Sequence, residues 1–301
     1  MARRRLLTGD ERRRLFDPPV QETAIIGHYT LSAEDVELVG RRYGPANRLG
    51  LAAQIALMRH PGFGLQPEIG LPDVILQYLA AQLFVDPSSF SAYGQRAQTR
   101  TDHADLVARY LGIRPFRRGD LALALNLAAQ AAEYTDRGEP IVRALMVGLK
   151  GERFILPSGD TLERAGLAGR ARARKAAAAA IVEGLSSAEL TRLDELVINN
   201  PDFGMTPLAW LRNFEEAPTA ANINGLLERL RYVRGIGIHP VVGGAIPEFR
   251  FAQFVREGGV APAFLLSDYS VNRRRATLTA AVIDLEARLA DAAIQMFDRL
   301  I

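Results

Sequence analysis

Apolar residues recur three and four positions apart along nearly the whole chain, and strict alternation is rare, so the pattern predicts helix after helix. Alanine is the commonest residue and β-branched residues are sparse, which favours helix over strand throughout. The expected fold class is all-α. Helix starts are marked where a capping oxygen stands three residues before a carboxylate: Thr8 with Glu11, Ser32 with Asp35, Asp160 with Glu163, and Ser186 with Glu189. Thr206 followed by Pro207 marks another. Breaks fall at Asp17-Pro18-Pro19, residues 60–64, residues 86–89, Asn199-Asn200-Pro201 and residues 235–247. They predict three parts: a first helical module over 1–86, a second over 87–184, and a helical bundle over 185–301.

The first two parts each contain a pair of helices joined by a short turn. In the first, a helix over 34–42 precedes Gly44-Pro45-Ala46 and a second helix that opens on Asn47-Arg48 and closes at Arg59-His60. In the second, a helix over 139–150 precedes a break at 154–159 and a helix starting at Asp160. That last helix carries Arg164, Arg170, Arg172, Arg174 and Lys175 against Glu163, while Leu162, Ala165 and Leu167 are placed to pack back on its partner. The division is the one a helix-turn-helix needs, with a recognition helix laid in a major groove. Asn and Arg at the head of such a helix suit adenine and guanine edges. A weak internal likeness links Glu37-Leu38-Val39-Gly40-Arg41-Arg42-Tyr43-Gly44 to Asp105-Leu106-Val107-Ala108-Arg109-Tyr110-Leu111-Gly112, each a helix ending before a glycine and a further helix. The bland alternative is a solvated basic face on structural helices.

Charge sharpens this picture only through its placement. Thirty-seven basic residues face 34 acidic ones, for a net charge of +3, and only Lys150 and Lys175 are lysine. Arginine's planar fork suits phosphate and guanine, although a GC-rich genome produces the same skew. The candidate DNA contacts are Arg3, Arg4 and Arg5 as an N-terminal arm, Arg41, Arg42, Asn47, Arg48 and Arg59 in the first part, and Arg117, Arg118, Arg164, Arg170, Arg172, Arg174 and Lys175 in the second.

Other chemistry finds little support. With no cysteine there are no disulfides or thiolate sites, and the four histidines are scattered singly. His103 beside Asp102 is the nearest approach to a metal motif and reads as a capping or solvated residue. Gly235-Ile236-Gly237 lacks the third glycine of a dinucleotide loop and reads as a helix stop. No catalytic residue, metal site or cofactor is expected in this chain. No apolar run reaches the ~18 residues of a membrane span, and the basic start lacks the apolar stretch of a signal peptide, so an intracellular, cytoplasmic protein is expected.

The third part adds a long helix from Arg273, with Leu278, Val282, Leu285, Leu289, Ala292, Met296 and Leu300 close to a heptad seam. Such a seam is either bundle core or a surface for a second copy or a following domain. It reaches the last residue without a stop signal, which suggests the front piece of something longer.

Together these motifs resemble a known family. Arg3-Arg4-Arg5-Leu6-Leu7-Thr8, His28-Tyr29-Thr30-Leu31-Ser32, Asn47-Arg48-Leu49-Gly50, Arg59-His60-Pro61-Gly62 and Phe154-Ile155-Leu156-Pro157-Ser158 are similar to the N-terminal region of Tn-three-type replicative transposases. So are Thr161-Leu162-Glu163-Arg164, Leu208-Ala209-Trp210-Leu211-Arg212, Leu227-Glu228-Arg229-Leu230-Arg231 and Ala293-Ile294-Gln295-Met296-Phe297-Asp298-Arg299-Leu300, in that order. The stretch around Gly243-Gly244 departs from the pattern. The resemblance implies a bacterial protein that binds the terminal inverted repeats of its transposon as double-stranded DNA. It places the metal-dependent carboxylate triad in a ribonuclease-H-like portion beyond this chain, so a divalent metal is expected only there and the chain alone is no enzyme. The alternative from another class is an interaction scaffold or truncated relative that pairs with intact transposase through residues 273–301.

Overall fold

Capping chemistry sets where many of the helices begin. A computed structural model describes residues 5–65, 71–95, 97–215 and 217–299. Thr8, Ser32 and Ser186 each close a reciprocal box with the carboxylate three residues on, and Thr206 and Thr219 accept from Ala209 and Asn222. Among the described residues the fold is all-α apart from two-residue strands and isolated bridges.

Contacts divide the chain into two compact units: residues 1–131 with 136–169, and residues 132–135 with 170–301. The first unit contains α1 (Gly9–Phe16), α2 (Glu22–Tyr29), α3 (Ala33–Gly40), α4 (Pro45–Arg59), α5 (Asp73–Leu83) and α6 (Ala97–Leu111). They are followed by β1 (Arg114–Pro115), α7 (Leu121–Ala132), α8 (Gly138–Gly151), β2 (Phe154–Ile155) and the first part of α9 (Gly159–Glu183). The boundary between the units falls within α9, after Gly169.

Helix α4 is the axis of the first unit because its sequence is apolar on every side. Every residue from Leu49 to Met58 is buried. Leu49, Ala53, Ala56 and Leu57 pack with Ile25, Tyr29, Ile75 and Leu79 of α2 and α5. Leu51, Ala52, Ile55 and Met58 pack with Val39 and Val107 of α3 and α6. A helix buried all round belongs in a core rather than a groove. The expectation that α4 lies along DNA therefore narrows to its first turn, which reaches the surface.

Helices α7, α8 and α9 approach closely at glycines. A side chain on Gly148 of α8 would meet Leu127, one on Gly169 of α9 would meet Ala128, and one on Gly166 would stand 3.3 Å from Val142. The short β1 and β2 pair in parallel, Arg114 opposite Phe154 and Pro115 opposite Ile155, and Phe63 bridges Leu156 beside them. Residue pairs this short leave no periodic signal in a sequence. They also limit the weak internal likeness: Gly44 and Gly112 both take a positive φ after a helix, but a strand rather than a helix follows Gly112.

The second unit contains the rest of α9, α10 (Ser187–Glu195), α11 (Pro207–Arg212), α12 (Ala220–Ile236), α13 (Glu248–Val260), α14 (Ala263–Ser267) and α15 (Val271–Asp298). Gly237, at φ +84°, stops α12 as expected. The predicted seam of α15 is filled within its own unit: Leu278, Val282, Leu285, Leu289 and Met296 pack on Leu193, Leu208, Leu226, Leu230 and Val233. Leu300 lies outside the described residues. On another face of α15, Ala276 and Ala280 pack with Ile181 of α9 and Phe254 of α13. The seam is thus bundle core in this structure.

Candidate nucleic-acid interface

The turn between α3 and α4 gathers four of the expected contacts. Gly44, at φ +82°, reverses the chain, and Pro45 opens α4. Asn47 Nδ2 donates to the Tyr43 carbonyl at 3.0 Å and Arg48 Nε donates to the Arg42 carbonyl at 3.0 Å. The head of α4 therefore holds its own turn in shape. Arg41 and Arg48 are exposed and Arg42 is half-buried, with Arg41 reaching back to Glu37 one helical turn earlier. Tyr43, between these arginines, is 95% exposed. Sequence reasoning passed over it because nothing in a sequence marks an aromatic residue as unpacked.

Arg59 is placed differently from the others. At the end of α4 it meets Asp35 of α3 with both terminal nitrogens, Nη2 at 2.6 Å, and Tyr110 of α6 donates to the same carboxylate at 2.8 Å. Asp35 is fully buried. Burial alone would raise its pKa, but the hydrogen bonds from Arg59, the Ser32 backbone and Tyr110 outweigh this and hold the carboxyl below its ordinary value. Asp35 also completes the Ser32 capping box, so a single carboxylate ties three helices together.

Histidines that looked solitary are paired in space. His28 and His60 stack at 3.7 Å with parallel rings, and Lys150 Nζ donates to the neighbouring Arg59 carbonyl. Burial first, then the charges of His28 and Lys150, pushes His60 down to about 4. His103 corrects the expectation of a cap or solvated residue. It is buried in α6, stacked on Tyr93, whose hydroxyl it meets at 3.1 Å through Nδ1.

The α8–α9 pair is present, but its second helix begins one residue earlier than expected and its acids do other work. Asp160 and Glu163 do not close a capping box. Both pair with Arg12 of α1, Asp160 at 3.0 Å, and Glu163 is buried there. A partner some 150 residues away cannot be read from local spacing. Arg14 adds a pair with Glu139 of α8 at 2.8 Å, which Arg143 shares. The head of α9 thus faces α1, and Phe16 sits where a side chain on Gly159 would stand. Of the basic residues on α9, exposed Arg164 lies in the first unit, and Arg170, Arg172, Arg174 and Lys175 in the second.

The N-terminal segment is seated on this pair by glycines. Leu6 and Leu7 are buried. A Cβ on Gly138 would overlap the Leu6 backbone carbonyl, whereas one on Gly166 would meet the ends of side chains, those of Leu6 and, at 3.3 Å, Val142. Gly138→Ala is expected to unseat this segment at a cost of about 1–3 kcal/mol, and Gly166→Ala to cost less because a side-chain tip can move. Limited trypsin cleavage at Arg5 and Arg12, compared between the two variants, checks the order. Arg5 is exposed beside Leu6, and Arg3 and Arg4 lie outside the described residues.

A second basic surface follows β1 and β2. Arg114 stacks over Phe154 at 3.8 Å, and Arg117, Arg118, Arg153 and Lys150 are exposed. Arg117 and Arg118 stand at a short 3-10 turn, with the Arg117 amide bound to Asp120 at 2.8 Å. Among the described residues no group of three or more His, Asp or Glu side chains could hold a metal ion, and no helix is long and apolar enough to cross a membrane.

Comparison with known proteins gives two results. A family model described as a domain of unknown function, DUF4158, matches residues 6–168. Over all 301 residues the chain is 32% identical to the transposase for transposon Tn501 of Pseudomonas aeruginosa and 33% identical to the transposase for transposon Tn3926 of Escherichia coli. It is 28% identical over 300 residues to the transposase for transposon Tn1546 of Enterococcus faecium. In each case the alignment covers 99% or more of this chain, which spans 30% of the relative's length.

Proposed function

Since the chain belongs to the DUF4158 family and corresponds to the N-terminal region of Tn-three-type transposases, we propose that it binds the terminal inverted repeats of a transposon as double-stranded DNA. The similarity to transposases along the entire chain is the observation that carries this reading. The exposed arginines of the α3–α4 turn and of the surface around β1 and β2 support it, because phosphate neutralisation by such side chains supplies much of the affinity for duplex DNA. In the whole transposase, strand cutting and joining with divalent metal belong to another portion, a DDE-type catalytic domain, and this segment places the ends. Cytoplasmic work at the nucleoid follows from such a role.

Fluorescence anisotropy with a terminal-repeat duplex and a scrambled duplex of the same composition tests the proposal. Tighter binding to the repeat is expected, with log K falling linearly against log salt at about −0.9 per phosphate contact. Equal affinity for the two duplexes, or no salt dependence, would sink it. Arg48→Ala should weaken binding to both and reduce the magnitude of the slope by about 1, since it removes one phosphate contact. It also frees the Arg42 carbonyl that Arg48 Nε holds at the turn, without touching the core.

A further inference from the structure

We infer that Tyr43 contacts DNA directly, its ring lying against the sugar and base edges of a groove while Arg41 and Arg48 hold phosphates on either side. The inference rests on the DNA-end-binding reading above and names the residue that turns a basic turn into a groove-reading one.

Exposure is the first argument. Tyr43 is 95% exposed, whereas Tyr29 and Tyr93 of the same unit are buried. A ring left in water contributes nothing to the fold, yet carries a large area for a partner to cover. Rigidity is the second. The chain reverses at Gly44, Asn47 Nδ2 grips the Tyr43 carbonyl, Arg48 Nε grips the Arg42 carbonyl, and the Arg42 amide donates to the Val39 carbonyl at 3.0 Å. The residue is thus displayed on a braced turn above a buried helix, so docking it costs little ordering entropy.

Charge chooses the partner. Arg41 and Arg42 precede Tyr43 in the chain, Arg48 lies in the first turn of α4 just beyond it, and Glu37 is already paired with Arg41. Helix α4 has no acid in its first turn and its Gly44 cap offers no side-chain acceptor, unlike the boxed starts of α1, α3 and α10. Its positive end therefore reinforces the arginines. An apolar protein surface would leave these cations unmatched. Duplex DNA matches both parts, with phosphates for the guanidinium groups and sugar and base edges for the ring.

Binding of the full chain and two variants to the terminal-repeat and scrambled duplexes, across a salt series, tests the inference. Tyr43→Ala should weaken binding about tenfold, as loss of one direct groove contact does. The salt slope should not change, because no charge is removed. Tyr43→Phe should bind within about twofold of the unmodified chain, since the ring is retained. Both variants should melt with the unmodified chain, as expected for so exposed a position. Ultraviolet cross-linking of repeat duplex carrying 5-iododeoxyuridine should give an adduct that maps to Tyr43. If the unmodified chain binds the repeat and Tyr43→Ala binds equally well, the inference is overturned. It is overturned too if Tyr43→Phe loses as much as Tyr43→Ala, since the hydroxyl rather than the ring would then be the contact. If the unmodified chain binds neither duplex, the broader DNA reading is what fails.

Discussion

Arg59→Ala is expected to destabilise the first unit by about 3 kcal/mol at neutral pH, the range found when one partner of a buried ion pair is removed. The two partners are unequal: the Arg59 side chain is 34% exposed, while that of Asp35 is at 0%. Arginine could turn to water if left alone, but the carboxylate cannot. Truncating Arg59 leaves Asp35 buried with only the Ser32 amide and the Tyr110 hydroxyl as donors. Hydrogen-exchange protection of the α4 amides reports the loss directly.

Acid provides the sharper test. In the unmodified chain the Asp35 pKa is lower folded than unfolded, so its stabilisation is present above about pH 3.9 and disappears as pH falls through the folded value. Without Arg59, burial dominates and the folded pKa rises above the unfolded one. The penalty for the charged carboxylate then fades on acidification, because the group takes up a proton inside the fold. The stability gap between the two chains should therefore be widest at pH 7 and narrow towards pH 4. Other carboxylates cancel in the difference. A gap that stays constant with pH would show that Asp35 is not the charge Arg59 serves. If Arg59→Ala also binds DNA less well, the loss should follow the fold's stability and leave the salt slope alone, unlike that of Arg48→Ala.

The contrast between Arg59 and Arg48 shows what the sequence made legible. Local features came through: the boxes at Thr8, Ser32 and Ser186, the stop at Gly237 and the paired helices around residues 44 and 155 all depend on neighbours within a few positions. Roles set by distant partners did not. Asp160 and Glu163 have the spacing of a cap, yet Arg12 takes them both. The apolar face of α15 was visible, but periodicity alone cannot say whether its partner is another chain or α12. The basic character of α4's ends was legible too, but not that one end is solvated at Arg48 while the other is locked against Asp35. Composition drew attention to arginine. Position within the fold separates arginines that could meet phosphate from those that hold helices together.

Gly50→Ala should destabilise the first unit by about 2–4 kcal/mol, against the usual sign for a glycine within a helix. Elsewhere the substitution would gain roughly 1 kcal/mol of helix propensity. Here the new methyl group would stand inside the ring of Tyr93. That ring is not free to swing. Its hydroxyl accepts from Gln54 Nε2 at 2.8 Å and meets His103 Nδ1 at 3.1 Å, and its faces stack on Phe90 and His103. Overpacking costs about 1–3 kcal/mol. A displaced ring also leaves buried Gln54 and His103 short of a partner, at about 1–3 kcal/mol for each group unsatisfied. Together these exceed the propensity gain. His103 supplies an independent readout, because burial first, and then the charge of Arg42, holds its pKa below 6.5 against the opposing effect of Asp102. The unfolded chain takes up that proton more readily, so in the unmodified protein stability falls as pH drops through 6.5 towards the folded value. Water admitted by Gly50→Ala should return the His103 titration, followed by NMR, towards 6.5 and flatten this dependence. A more stable variant with His103 unmoved would mean that Tyr93 has room to yield. In that case the glycine is not what fixes the close approach of the 87–92 turn to α4.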